Sequence, residues 1–170
     1  VCWVAIADVA AYVRPGSELD RWAREKGNSV YFPDRVEPML PERLSNGLCS
    51  LKESENRATL AVRMVFNKDG RKVGHRFVRG LMRSHAKLSY EQAQSAVDGQ
   101  PDDKTGPLLE PILYPLWNAY RCMLKGRQKR SPLQIESAER RIRMTPEGHI
   151  DSIERRVSLE AHRLIEEMMV

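Results

Sequence analysis

The chain has 170 residues, with 28 Lys and Arg against 23 Asp and Glu and a formal net charge of +5 at pH 7. Its 41% apolar and 30% charged content is that of one domain with a single core, which excludes a disordered tail, and no apolar run approaches the ~20 residues of a membrane span. The cysteines Cys2, Cys49 and Cys122 are widely spaced and odd in number, fitting reduced thiols better than a disulfide framework or a cysteine zinc site.

The opening Val1-Cys2-Trp3-Val4-Ala5-Ile6-Ala7 lacks the features of a signal peptide, so a cytoplasmic protein with no membrane partner is expected. Both ends read as cut: Val1 opens directly on a strand-like run, and Glu166-Glu167-Met168-Met169-Val170 stops inside a helical pattern without a Gly or Asn cap. The chain is therefore expected to be an excised piece of a longer protein.

Val1 to Ala7 predicts a buried strand that breaks at Asp8. Ser17 before Glu18-Leu19-Asp20 supplies a hydroxyl cap and two acids at the positive end of a helix that Gly27 can close. Ser29 to Pro33 is a short extended piece. Asp34 to Leu51 carries Pro38, Pro41 and the pair Asn46-Gly47, which predicts a loop with one helical turn at Glu42-Arg43-Leu44 and a positive-φ turn at Asn46-Gly47. Ala58 to Phe66, the turn Asn67-Lys68-Asp69-Gly70 and Arg71 to Leu88 predict a β-hairpin. Ser89-Tyr90-Glu91-Gln92 has capping-box spacing and starts a helix to about Val97. From Leu108 the positions Leu109, Ile112, Leu113, Leu116, Tyr120, Met123 and Leu124 keep a helical period, with Pro107 suited to a first turn and Pro111 and Pro115 expected to delay or kink it. Arg140 to Thr145, Pro146-Glu147-Gly148 and His149 to Glu154 predict a second hairpin, and Ser158 to Val170 a last helix. The sum is an α+β fold, a mixed or antiparallel sheet with hairpins packed on helices.

Several strings are more specific than their patterns. Val4-Ala5-Ile6-Ala7-Asp8-Val9, Val30-Tyr31-Phe32-Pro33, Pro38-Met39-Leu40-Pro41, Leu44-Ser45-Asn46-Gly47-Leu48-Cys49-Ser50-Leu51 and His162-Arg163-Leu164-Ile165-Glu166-Glu167 occur in this order. Together they resemble the catalytic (RNB) domain of the ribonuclease II and ribonuclease R family, closest to its bacterial ribonuclease R members. The resemblance runs from Val4 to the last residue, with a variable stretch between about Val97 and Ser137. It implies a central fragment of a processive 3′-to-5′ exoribonuclease that hydrolyses single-stranded RNA to nucleoside 5′-monophosphates with divalent metal, normally Mg2+. The family takes its metal ligands from an Asp-rich string upstream of the Ile-Ala-Asp strand and a catalytic arginine from a later Ser-Pro-Ile-Arg-Arg segment; neither string is in this sequence. The fragment is thus expected to hold no catalytic or metal-binding residue and to be inactive alone. The competing reading is a non-catalytic RNA-binding member of the same family.

The candidate binding residues follow. In an extended Val30-Tyr31-Phe32, Val30 and Phe32 share one face and enter the core while Tyr31 takes the other, either facing a cavity or burying its ring with the hydroxyl at the edge. The resemblance places a base-stacking aromatic residue at Tyr31; a second aromatic wall, expected before the last helix, has no counterpart in Arg140-Arg141-Ile142-Arg143-Met144. Arg79, Arg83, His85 and Lys87 fall at odd positions of the returning strand, hence on one face able to track an RNA backbone or simply to meet solvent. Lys125, Arg127, Lys129 and Arg130 cluster where the long helix ends and suit either the same role or the helix dipole. Asp8 is expected to hold the amides of the next loop. His162 and Glu166, four apart, could seat a metal but fit a helix-surface hydrogen bond or ion pair better, and His75, His85 and His149 show no ligand spacing.

Overall fold

A computed structural model describes residues 1–130, 140–155 and 157–169. Its elements are β1 (Cys2–Ala7), α1 (Glu18–Lys26), β2 (Val30–Tyr31), β3 (Val36–Glu37), β4 (Asn56–Phe66), β5 (Lys72–Arg83), α2 (Tyr90–Val97), α3 (Tyr114–Lys129), β6 (Arg140–Met144), β7 (Ile150–Arg155) and α4 (Glu160–Met168), with short helical turns between them. The α+β expectation holds, and every strand pairing is antiparallel.

β1 lies against β4 from Cys2↔Met64 to Ala7↔Thr59, and β4 against β5 from Asn56↔Arg83 to Phe66↔Lys72, so β4 is the central strand. Opposed residues share a face. Cys2, Val4 and Met64 therefore stand together, and Cys2 and Val4 pack with the helices on Trp117, Tyr120 and Met123 of α3, Leu164 and Met168 of α4, and Ala96 of α2. Trp117 is only 2% exposed, and its indole Nε1 donates to Glu160 Oε2 at 2.9 Å. Ten residues on, Arg127 Nη1 donates to Glu167 Oε2 at 2.7 Å. Start meets start and end meets end, so α3 and α4 run in the same direction, and the β6–β7 hairpin is the excursion between them.

The local signals in the sequence act as read. Ser17 Oγ accepts the Asp20 amide, and Gly27 ends α1 at φ +75°. Ser89 and Gln92 cap α2 reciprocally. At the hairpin turn, Asn67 Oδ1 accepts the amides of Asp69 and Arg71 at 3.1 and 2.9 Å, and Gly70 has φ +78°. This turn docks on α3, where Cys122 Sγ donates to the Asn67 carbonyl at 3.0 Å. A Cβ on Gly70 would stand 2.1 Å from the Cys122 carbonyl oxygen, and one on Gly126 would stand 2.5 Å from that of Gly70. A glycine inside a helix costs about 1 kcal/mol relative to alanine, and backbone contact explains why one stands here.

Five expectations need correction. The helical turn expected at Glu42-Arg43-Leu44 is present but longer and wider, running over Arg43–Leu48 and closed by the Cys49 amide on the Leu44 carbonyl at 2.8 Å, and the short strand β3 interrupts the loop before it. Asn46-Gly47 lies inside that turn, and Gly47 has no positive φ. β5 stops at Arg83 rather than Leu88, since its partner begins at Asn56 and Ser84 instead bridges Glu53 in the parallel sense. On the long helix the prolines delay regular α structure to Tyr114, as expected, yet Ile112 is exposed and Trp117 is buried, because tighter and wider turns before Tyr114 break the 3.6-residue phase. The last helix covers Glu160–Met168; Val170 lies outside the described residues.

Candidate nucleic-acid interface

The chain leaves β1 at Asp8 and returns at Asn56, and two hydrogen bonds fix both ends of this excursion: the Asp8 amide on the Ala58 carbonyl and Arg57 Nε on the Ser50 carbonyl, each 2.9 Å. Within it, Val30↔Glu37 and Tyr31↔Val36 form a two-rung antiparallel ribbon. Lys26 Nζ holds the Pro38 carbonyl at 3.1 Å, the Met39 amide donates to Ser29 Oγ at 2.9 Å, and Leu40 is buried, so Pro38-Met39-Leu40-Pro41 anchors the base of the ribbon.

Tyr31 is 77% exposed, whereas Val30 and Phe32 are 42% and 43% exposed. The expectation that Val30 and Phe32 enter the core is wrong, because a ribbon of two short strands has no inner face on which to bury them. Phe32 is nonetheless occupied: the Arg35 guanidinium carbon lies 4.6 Å from its ring centroid, and the Phe32 amide donates to the Arg35 carbonyl at 2.8 Å. Among the described residues neither the ring nor the hydroxyl of Tyr31 has a partner. An aromatic face presented in this way, on a ribbon tied down at its base, is a platform for a flat ligand.

Asp8 is buried, and its carboxylate accepts Arg79 Nε and Nη2 at 2.8 and 2.9 Å, a two-pronged pair between the end of β1 and the middle of β5. The Arg79 guanidinium holds the Asp8 carboxyl below the usual carboxylate range against the opposite push of burial, with the Ala11 and Ala10 amides adding to the effect. The loop role expected for Asp8 gives way to a different one: no side-chain hydrogen bond from Asp8 caps the turn after it, and its partner is Arg79, which alternation could not connect to it. The same pairing corrects the row of cations on β5. Arg79 is committed to Asp8, and His85 and Lys87 lie beyond the strand, with the Lys87 amide donating to Glu53 Oε2 at 3.1 Å. Arg83 remains exposed on the strand.

His162 does not pair with Glu166. Its Nδ1 accepts the Leu159 amide at the start of α4, at 3.1 Å, and its ring stacks on Tyr90 with centroids 4.2 Å apart. Among the described residues no three His, Cys, Asp or Glu side chains converge to hold a metal, and Asp8, the acid at the strand end, has its oxygens taken by Arg79. At the end of α3, Arg127 and Arg130 both turn to Glu167, at 2.7 and 3.6 Å, while Lys125 and Lys129 stay unpaired among the described residues. Besides the Asp8–Arg79 pair, the sequence reading missed the contact at Gly126, for which a glycine inside a helical pattern was the available signal.

The family model of the RNB domain matches residues 1–170. Ribonuclease R of Escherichia coli is 43% identical over 170 residues, covering 99% of this chain and 21% of its own, and that of Thermotoga maritima is 36% identical, covering 98% and 24%. This chain therefore spans about a fifth to a quarter of the length of these relatives. The structure of Mycoplasma genitalium RNase R in complex with ribose methylated single-stranded RNA superposes with a TM-score of 0.92 at 31% identity, over 99% of this chain and 26% of that one. No helix among the described residues is long and apolar enough to cross a membrane.

Proposed function

This chain belongs to the RNB-domain family, and from that premise we propose that it is the central part of the catalytic domain of a cytoplasmic 3′-to-5′ exoribonuclease, which hydrolyses single-stranded RNA to nucleoside 5′-monophosphates. The observation that carries the reading is Tyr31, an unpartnered ring on an anchored ribbon. Its role is to stack on a base near the 3′ end of the RNA. Stacking is worth about 1–3 kcal/mol per base and tolerates any base, as a nonspecific degrader requires. The RNA-bound form of the M. genitalium relative supports RNA as the ligand. Arg83 guides the strand through its phosphates, and the Asp8–Arg79 pair fixes the point from which the Tyr31 excursion leaves the sheet.

A divalent cation such as Mg2+, bound elsewhere in the parent, would supply the activation of water and the stabilisation of charge on the phosphate that phosphodiester hydrolysis needs. In this reading the metal ligands belong to another part of the parent protein, since among the described residues no three His, Cys, Asp or Glu side chains converge, and the part played here is grip and alignment. The test is an assay of the full-length protein with Mg2+ on single-stranded RNA labelled at its 5′ end. Progressive shortening with release of nucleoside 5′-monophosphates is expected. Binding without shortening would replace the enzyme by the non-catalytic reading. The 170 residues alone should release no mononucleotide from poly(A), and Mg2+-dependent release would show that the catalytic centre lies within them.

A further inference from the structure

The β4–β5 turn and the end of α3 meet in a crease at the opposite end of the sheet from Asp8. Its floor is the backbone contact between Gly70 and Gly126, and it opens to solvent as a shallow cavity of about 430 Å3 lined by Asn67, Asp69, Arg71, Lys129 and Arg130 beside those glycines. Arg130 is drawn partly toward Glu167 at 3.6 Å. Arg71 and Lys129 have no ion-pair partner among the described residues, nor do Lys68 on the turn, Lys72 at the start of β5 or Lys125 one helical turn before Lys129. Among the described residues the one acid lining the cavity is Asp69. Unpaired cations gathered from two elements around a concave, solvent-open surface hold a field that an anion would relieve.

We propose that this crease binds the phosphate backbone of the RNA chain at a distance from Tyr31. The inference rests on the proposed function for the identity of the polyanion. Three features favour a single-stranded backbone. The cations lie on both walls, so that a strand laid in the crease is contacted from two sides. Lys125 and Lys129 are one helical turn apart, about 6 Å along α3, a spacing suited to successive phosphates of an extended strand. The floor is glycine backbone and, among the described residues, no aromatic side chain lines the crease, so it offers a base no ring to stack on while its cations can meet phosphates. β4, with its 11 residues, spans about 36 Å between the turn and the end where the Tyr31 excursion is tied. In the proposed arrangement a short oligonucleotide held by Tyr31 falls short of the crease, while a long one extends to it.

The test measures binding of a short and a long single-stranded RNA to the full-length protein across a salt series, in chelator so that the RNA stays intact. In Arg71→Ala/Lys129→Ala the dependence of log affinity on log salt for long RNA should fall by about 1.4, from ~0.7 per lost phosphate contact on a single strand. Short RNA should bind as before, and Arg71→Lys/Lys129→Arg should keep the original slope. An unchanged slope for long RNA in the alanine variant would overturn the proposal while leaving Tyr31 untouched. Equal loss on short and long RNA would assign the effect to the fold and overturn it too. Absence of RNA binding by the unaltered protein would sink the proposed function and this inference with it.

Discussion

The helical layer and the excursion between β1 and β4 treat aromatic residues in opposite ways. Trp117 and Tyr120 are 2% and 3% exposed, and Trp117 has its one polar atom bonded to Glu160; Tyr31 is 77% exposed with its ring and hydroxyl unmatched among the described residues. The first arrangement is what packing requires: large area removed from water, and the buried indole N–H of Trp117 given an acceptor. The second gives the fold almost nothing, so its explanation lies in a ligand. Stability and binding are thus carried by different aromatic residues, and mutations should separate them.

Trp117→Ala should show the largest effect on stability, a loss of about 3–5 kcal/mol from cavity formation and the orphaned Glu160, read from the denaturant midpoint of the full-length protein. Little change would mean that the helical layer is not the core. Gly126→Ala comes next and carries an unusual sign. On an open helix surface this change stabilises by about 1 kcal/mol; with Gly70 against it, overpacking should instead destabilise by roughly 1–3 kcal/mol, and a more stable variant would disprove the close approach. The Asp8–Arg79 pair should show itself through pH. Because the Asp8 carboxyl is held below its unfolded value, its contribution is full above that value, near pH 4, and is lost as pH falls through the folded value. Asp8→Asn should therefore flatten the fall in melting temperature below about pH 4, and an identical acid limb in the variant would contradict the pairing. Tyr31→Ala should have the smallest effect on stability, within about 0.5 kcal/mol.

What the sequence revealed and what it hid divide along physical lines. Signals that act within a few residues were legible: the Ser17 and Ser89 caps, the Asn67–Gly70 turn and the β6–β7 hairpin all rest on local hydrogen bonds or backbone conformation. Contacts between distant segments were not. Asp8 and Arg79 are 71 residues apart, and alternation alone cannot reveal that one cation in a row is taken by an acid on another strand. The end of β5 was misplaced for a related reason, since pattern continues to Leu88 while the partner strand does not. Prolines announced disturbance ahead of α3 but not its phase, which exchanged Ile112 for Trp117 in the core. At Tyr31 alternation predicted that the ring parts from its neighbours, and exposure bears out the ring but not the burial of Val30 and Phe32.

The most direct measurement of the central claim compares Tyr31→Phe with Tyr31→Ala in the full-length protein, using the affinity for a short single-stranded RNA in chelator and the length of the final product with Mg2+. A stacking ring predicts that phenylalanine keeps both, while alanine weakens binding by the equivalent of about 1–3 kcal/mol and lengthens the final product. Unchanged affinity and product length in the alanine variant would contradict the account.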